Sequence, residues 1–264
     1  MSIEVAVIPA AGRGTRMRPA TRVVPKALIT VVDRPAIQYA VEEAARAGAK
    51  EAIVVVDLDA GHLVAQHFSL GGSLPGLEDI RVRPVVQEEP LGLGHAVYEA
   101  AEMVGDRSFF CLLSDNIVRP GHDVLEPMAA GSSDGDVSVM CLRRYPDEFL
   151  DKYGFVIPTS EEADGYLDLG GAVEKPGIDN APSNLGLVGR YLFTPEVFSI
   201  LEKTDPGYGG EIQLTDAIHE LGESGRLRGF VADAELLDTG TPEGLLKATR
   251  VLGAHQFGED VFDS

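Results

Sequence analysis

Tryptophan is absent from the 264 residues, aromatic side chains make up 6%, cysteine occurs twice, and the 22 lysines and arginines fall far short of the 42 aspartates and glutamates. The formal net charge of −20 excludes a coat for nucleic acid or a binder of anionic membrane surfaces, since both need a basic face. Any phosphate this chain handles must meet a local positive island. Two cysteines cannot build a disulfide framework, and Cys111 (FFCLL) and Cys141 (VSVMCLR) each sit in an apolar run, the setting of a buried thiol rather than of a zinc ligand or nucleophile. No run of 18 apolar residues occurs, and MSIEVAVIPAAGRG lacks a basic segment followed by an apolar one; a cytoplasmic protein without a membrane span is expected. What is there is a 44% hydrophobic content with 24% charged residues, the composition of a chain with a true core.

Short β-branched runs alternate with helical patterns over the first 145 residues. Glu4–Pro9, Glu51–Val56, Val82–Gln87 and Phe109–Leu113 read as buried strands, and helices are expected after Pro35, closed by Gly48, and over His95–Val104. That spacing predicts βαβ units with right-handed crossovers, and ligands of such sheets sit beyond the carboxyl ends of the strands. From Val137 onward the pattern loosens into strands at Val137–Leu142, Tyr153–Pro158, Gly170–Pro176 and Leu187–Phe193, then helices near Pro195–Lys203, Gln213–Leu221 and Pro242–Leu252. The fold class expected is α/β, a Rossmann-like mixed and mostly parallel sheet flanked by helices, with a smaller α+β portion. Residues 66–79 read as a short Gly/Pro/Ser-rich loop, and residues 254–264 as an acidic tail.

Directly after the first strand comes Ala10-Ala11-Gly12-Arg13-Gly14-Thr15-Arg16-Met17. Gly12 and Gly14 let the backbone approach a ligand, and successive amides in such a turn form an anion nest. Met17 stands where a third glycine would complete GxGxxG, and no GxxxxGK[ST] occurs, so the dinucleotide and P-loop readings both weaken. Residues 1–30 carry Arg13, Arg16, Arg18, Arg22 and Lys26 against the single acid Glu4, a local net of +4. The plain alternative is a solvated, arginine-decorated turn, but its place after a buried first strand favours phosphate.

The stretch VIPAAGRGTRMRPATRVVPKAL resembles the signature of the bacterial sugar-1-phosphate nucleotidyltransferases, a GxGTR loop followed by Pro-Lys about ten residues on. Gln87 with Gly92-Leu93-Gly94-His95-Ala96, Ser114-Asp115, Tyr153-Gly154, Val173-Glu174-Lys175-Pro176, Ser183-Asn184-Leu185, Val188-Gly189-Arg190-Tyr191 and Gly210-Glu211-Ile212-Gln213-Leu214-Thr215-Asp216 follow in the family's order. Within the family the sequence is most similar to the glucose-1-phosphate uridylyltransferases, the UDP-glucose pyrophosphorylases. Those usually carry a helical insertion after the segment that here spans residues 66–79.

The resemblance implies one nucleotidyltransferase domain over 1–264, with nucleotide binding in about 1–145 and sugar-phosphate binding in about 146–250. It implies that a sugar phosphate attacks the α-phosphorus of a nucleoside triphosphate and expels pyrophosphate. Asp115 and Asp238 would hold Mg²⁺; Arg16 would neutralise the β- and γ-phosphates, Lys26 the α-phosphate and Lys175 the sugar phosphate. Ala10, Ala11, Gly12, Gly14, Thr15, Gln87 and Gly92 would form the nucleotide site, with the Gln87 amide both donating to and accepting from a pyrimidine. Gly154, Glu174, Asn184, Val188 and Gly189 would join Lys175 around the sugar. A homodimer or homotetramer with small-molecule substrates is also implied. Taken without the resemblance, Asp115 and Asp238 read as turn residues, Arg16, Lys26 and Lys175 as surface cations, Glu174 as a strand-end acid, and His95 as a helix-start packing residue. Two readings stay beside the main one: the same chemistry with dTTP or an unusual sugar or cyclitol phosphate, and a sugar-nucleotide sensor without catalysis.

Overall fold

Strand β1 (Val5–Pro9) is apolar at every position and buried along its whole length, as a strand covered on both faces must be. In the computed structural model, which describes residues 2–69, 74–132 and 136–262, it leads through three 3-10 turns to the β2–β3 ribbon (Thr30–Val31 and Arg34–Pro35). There follow α1 (Ala36–Arg46), β4 (Glu51–Val56), α2 (Gly61–Ser69), β5 (Arg81–Val86), α3 (Leu93–Tyr98), α4 (Ala101–Val104), β6 (Phe109–Leu112), β7 (Asn116–Val118), α5 (Leu125–Gly131) and β8 (Ser138–Arg144). The second half runs β9 (Gly154–Pro158), β10 (Tyr166–Glu174), β11 (Leu185–Phe193), α6 (Glu196–Leu201), α7 (Leu214–Glu223), β12 (Leu227–Val231), β13 (Leu236–Asp238) and α8 (Pro242–Phe257).

Among the described residues nine strands form one sheet in the order β5-β4-β1-β6-β11-β8-β12-β10-β9. It is the mixed α/β sheet flanked by helices expected from the sequence. Its parallel character is confined to the β5-β4-β1-β6 run and the β8–β12 pair, whereas β11, β10 and β9 pair antiparallel with their neighbours. The period of two along each strand divides the core. Val5, Val7, Ile53, Val55, Phe109 and Cys111 pack on one face with α3, α4, α6 and α7. Ala6, Ile8, Ala52, Val54, Phe110 and Leu112 pack on the other with α1, α2 and α5.

Several local expectations change. The helix expected over His95–Val104 is two short ones, α3 and α4, because at the junction the amides of Ala100 and Met103 bond three residues back, to Val97 and Ala100, in a tightened turn. Residues 66–69, expected in a loop, close α2; the Asp57 carboxylate starts that helix by accepting the Ala60 amide at 2.7 Å. Of the rest of that segment, 74–79 are turns with irregular residues between them, and 70–73 lie outside the described residues. The tail expected from 254 begins later: residues 254–257 continue α8, and Glu259–Phe262 form a 3-10 turn that lays the Phe262 ring against Gly253. No helix among the described residues is long and apolar enough to cross a membrane.

Ile53 at the centre of β4 has no exposed surface. Ile53→Ala is expected to lower stability by about 2–5 kcal/mol through lost burial and the cavity left behind, read by denaturant unfolding; a loss under about 1 kcal/mol would contradict this packing.

Candidate active site

The carboxyl ends of β1, β5 and β6 open onto two joined cavities. The first, of about 470 Å³, is lined by Ala10, Ala11, Gly12, Gly14, Thr15, Lys26, Gln87, Gly92 and Asp115. Its loop folds tightly: Gly14 has φ of 57°, and a side chain there would strike Thr21 and Lys26. Gly92, with φ of 113°, lies so close to the Ile212 carbonyl that a Cβ would sit 2.7 Å from it, so glycine is required for β5's return toward α7. The second cavity, of about 950 Å³, is lined by Arg16, Asp115, Gly154, Glu174, Lys175, Val188, Gly189 and Asp238 among others. Thr15, Leu93, Leu113, Asp115 and Glu211 border both. Four of the five cations of residues 1–30 make no salt bridge among the described residues; the fifth, Lys26, meets the Asp115 carboxylate.

Asp115 and Asp238 lie 123 positions apart in the chain, and a two-stranded ribbon unites them. Strand β13 pairs antiparallel with β7 so that Asp238 faces Asn116, and the Thr239 amide and hydroxyl both donate to the Asp115 carbonyl at 2.7 and 2.9 Å. Ile117 and Leu237, the central residues of the two strands, are buried under Ala248 and Leu252 of α8. The polar ends meet around Gly240, where a Cβ would lie 2.8 Å from Asp238 Oδ1, 2.9 Å from Lys26 Nζ and 3.1 Å from Asp115 Oδ2. Asp238 Oδ1 also accepts the Gly240 amide at 2.6 Å, so its turn-forming role and its place at the junction coexist.

A model of the nucleotidyl transferase family matches residues 5–254. The chain belongs to that family. It is 36% identical to a UTP–glucose-1-phosphate uridylyltransferase of Bacillus subtilis over 94% of this chain and 90% of that one. It is 35% identical to a second such protein of Staphylococcus saprophyticus over 94% and 91%. Among solved structures it resembles a UDP-glucose pyrophosphorylase complexed with UDP-glucose, with a TM-score of 0.89 and 31% identity over 96% of this chain and 99% of that one. A UTP-bound UGPase from Acinetobacter baumannii gives a TM-score of 0.84 and 33% identity over 98% and 97%.

In this nucleotidyl transferase chain every candidate site residue but one lines the joined cavities. The exception is Asn184: its side chain is exposed ahead of β11 and lines neither cavity, and it contributes through its carbonyl, which accepts the Tyr145 amide at 2.9 Å. Glu174 is held between Thr215, whose hydroxyl donates to Oε2 at 2.7 Å, and Lys175, whose ammonium lies 3.3 Å from Oε1. Lys175 itself sits at φ 44°, an uncommon backbone for a side-chain-bearing residue. Gln87 is buried at the cavity wall, its amide nitrogen near the Gly92 carbonyl and His95 Nδ1. Tyr145 and Tyr153 border the second cavity; burial pushes the first up to about 12 and raises the second, with Asp238 adding to the second shift. Burial likewise raises both cysteine thiols, as befits core residues.

Sequence reasoning quoted Thr215 and Arg190 inside family motifs without giving either a role, and it missed Glu43, the partner of Arg190. Arg190 has no exposed surface although it lies in LGLVGRYLF, an otherwise apolar strand; a lone arginine in such a run is the signal that could have found it. Its Nε and Nη2 donate to the two Glu43 oxygens at 2.9 and 2.8 Å, its Nη1 to the carbonyls of Leu113 and Gly189 at 3.1 and 3.0 Å, and Nη2 also to that of Asn116. Removing one partner of a buried pair leaves an uncompensated charge. Arg190→Met is therefore expected to cost about 3–5 kcal/mol, and a further Glu43→Leu to recover a large part of that loss. Urea unfolding of both variants measures this, and additive losses would contradict the pairing.

Proposed function

We propose that the chain catalyses Mg²⁺-dependent uridylyl transfer, UTP plus glucose 1-phosphate giving UDP-glucose and pyrophosphate. A phosphate oxygen of the sugar phosphate attacks the α-phosphorus; the new P–O bond forms as the bond to the bridging oxygen breaks, and the electron pair leaves with pyrophosphate. The observation that carries this reading is the junction: Lys26, Asp115 and Asp238 converge where a cavity of nucleotide size opens into a larger one walled by Glu174 and Lys175. The similarity to proteins named for this reaction supports the substrates.

The nucleophile needs no base, because the second ionisation of a phosphate monoester has a pKa of ~6. Positioning and charge neutralisation remain. On this reading Lys26 exchanges Asp115 for the α-phosphate, Arg16 meets the β- and γ-phosphates, and Lys175 holds the sugar phosphate while Glu174 binds sugar hydroxyls; that all four line the joined cavities supports it. Asp115 and Asp238 offer hard carboxylate oxygens around one point, and no group of three or more metal-ligating side chains occurs among the described residues. That donor set suits Mg²⁺, which takes one or two carboxylates and completes its shell with phosphate oxygens and water. When bound, the cation neutralises charge on the triphosphate. The two buried free thiols support a reducing, cytoplasmic setting. The homodimer or homotetramer implied by the resemblance belongs to the same reading and is checked by light scattering.

Pyrophosphate release measured with UTP, dTTP, CTP and ATP against a panel of sugar 1-phosphates is expected to be greatest for UTP with glucose 1-phosphate; no release with that pair contradicts the reading. Asp115→Ala is expected to lower turnover roughly a hundredfold or more with the unfolding midpoint little changed, since the residue is a cavity-wall acid and carries no core volume. Full activity in that variant would remove Asp115 from the site.

A further inference from the structure

The sequence suggested that the Gln87 amide could donate to and accept from a base at once, and that His95 merely packs at a helix start. The hydrogen bonds tell otherwise. The Gly92 carbonyl can only accept, so the Gln87 atom 3.2 Å from it is the amide nitrogen. The same nitrogen lies 2.9 Å from His95 Nδ1, which must then be the unprotonated ring nitrogen. The proton belongs on Nε2, and that atom faces Glu99 Oε1 at 3.2 Å, one turn further along. Each contact agrees with the others. Both amide hydrogens are committed inside the protein, while Oε1 accepts no hydrogen bond among the described residues and is not sealed from solvent. Gln87 lines the nucleotide-side cavity and His95 does not.

We propose that His95, anchored by Glu99, is a specificity-determining positioning residue: it locks the Gln87 side chain so that its carbonyl oxygen alone faces the base. A ligand at that wall must bring an N–H to Oε1. Uracil and thymine carry one at N3; cytosine presents a lone pair there, which would meet the carbonyl oxygen as acceptor against acceptor. The site thus selects imide pyrimidines and rejects cytosine by leaving its N3 unpaired. The inference rests on the nucleotide reading above, and it adds a residue that touches no substrate.

His95→Ala leaves the amide tied only by the longer bond to Gly92, free to turn its nitrogen toward a ligand. The experiment compares UTP and CTP on wild type and His95→Ala, both by kcat/KM with glucose 1-phosphate and by calorimetric binding. Wild type is expected to prefer UTP, and the variant to lose roughly five- to tenfold of that UTP:CTP ratio, chiefly through weaker use of UTP and with the unfolding midpoint little changed. An unchanged ratio overturns the proposal. Nitrogen-15 NMR of the wild-type imidazole keeps the test open should the variant fail to fold: a ring protonated on Nε2 alone supports the lock, and one protonated on Nδ1 overturns it. Because the binding arm needs no turnover, a wild type that binds UTP over CTP but releases no pyrophosphate contradicts the reaction assigned above and not the lock.

Discussion

The site hangs on a buried guanidinium. All five N–H groups of Arg190 are spent on Glu43 and on the carbonyls of Leu113, Asn116 and Gly189. Leu113 and Asn116 flank Ser114-Asp115, so the clamp fixes the turn that carries the acid at the cavity junction, while Glu43 of α1 holds the clamp from behind. Weighed against an apolar pair of similar volume, a buried ion pair gives little or no net stability. What this one secures is geometry. Once the Asp115 turn is fixed, β7 follows it, β13 pairs with β7, and Asp238 arrives beside Asp115 with α8 packed over the ribbon.

The net charge of −20 and a site for polyanionic substrates are compatible because the charge is unevenly placed. Among the described residues Arg13, Arg16, Arg18 and Arg22 cluster around the glycine loop without salt bridges; elsewhere Arg34, Arg83, Arg107, Arg119, Arg144, Arg226 and Arg228 are each matched to an acid, and the unmatched Arg46, Arg81, Arg143 and Arg250 are scattered along the chain. At physiological salt, fields fall off over ~8 Å, so the cavity feels its own loop more than the distant acidic surface. Small anions fit that arrangement and polymers do not.

Much of this was legible in the residues. Strand β1, and β4 after its opening Glu51, are apolar runs that announce their burial; the glycine loop, with its local excess of cations, announces an anion. Both acids of the junction could be named from the family motifs. Their meeting could not, because it depends on the three-residue strands β7 and β13, too short to leave a periodic signature. Asn184 was misjudged for a different reason: a family motif names a residue but not which of its atoms matter, and here the side chain is exposed while the carbonyl accepts the Tyr145 amide. The contribution of His95 was invisible for another reason: a histidine's role is set by which ring nitrogen its neighbours leave free, and Gln87, Gly92 and Glu99 decide that only when folded together.

The central claim is that Asp115 and Asp238, united by the clamp and the ribbon, form the cation end of one nucleotide site. Anomalous diffraction from crystals grown with UTP and Mn²⁺ tests it most directly. The account predicts a single strong peak within coordination distance of both carboxylates, with Lys26 moved from Asp115 onto the nucleotide phosphates. A peak elsewhere, with Lys26 still paired to Asp115, would contradict it.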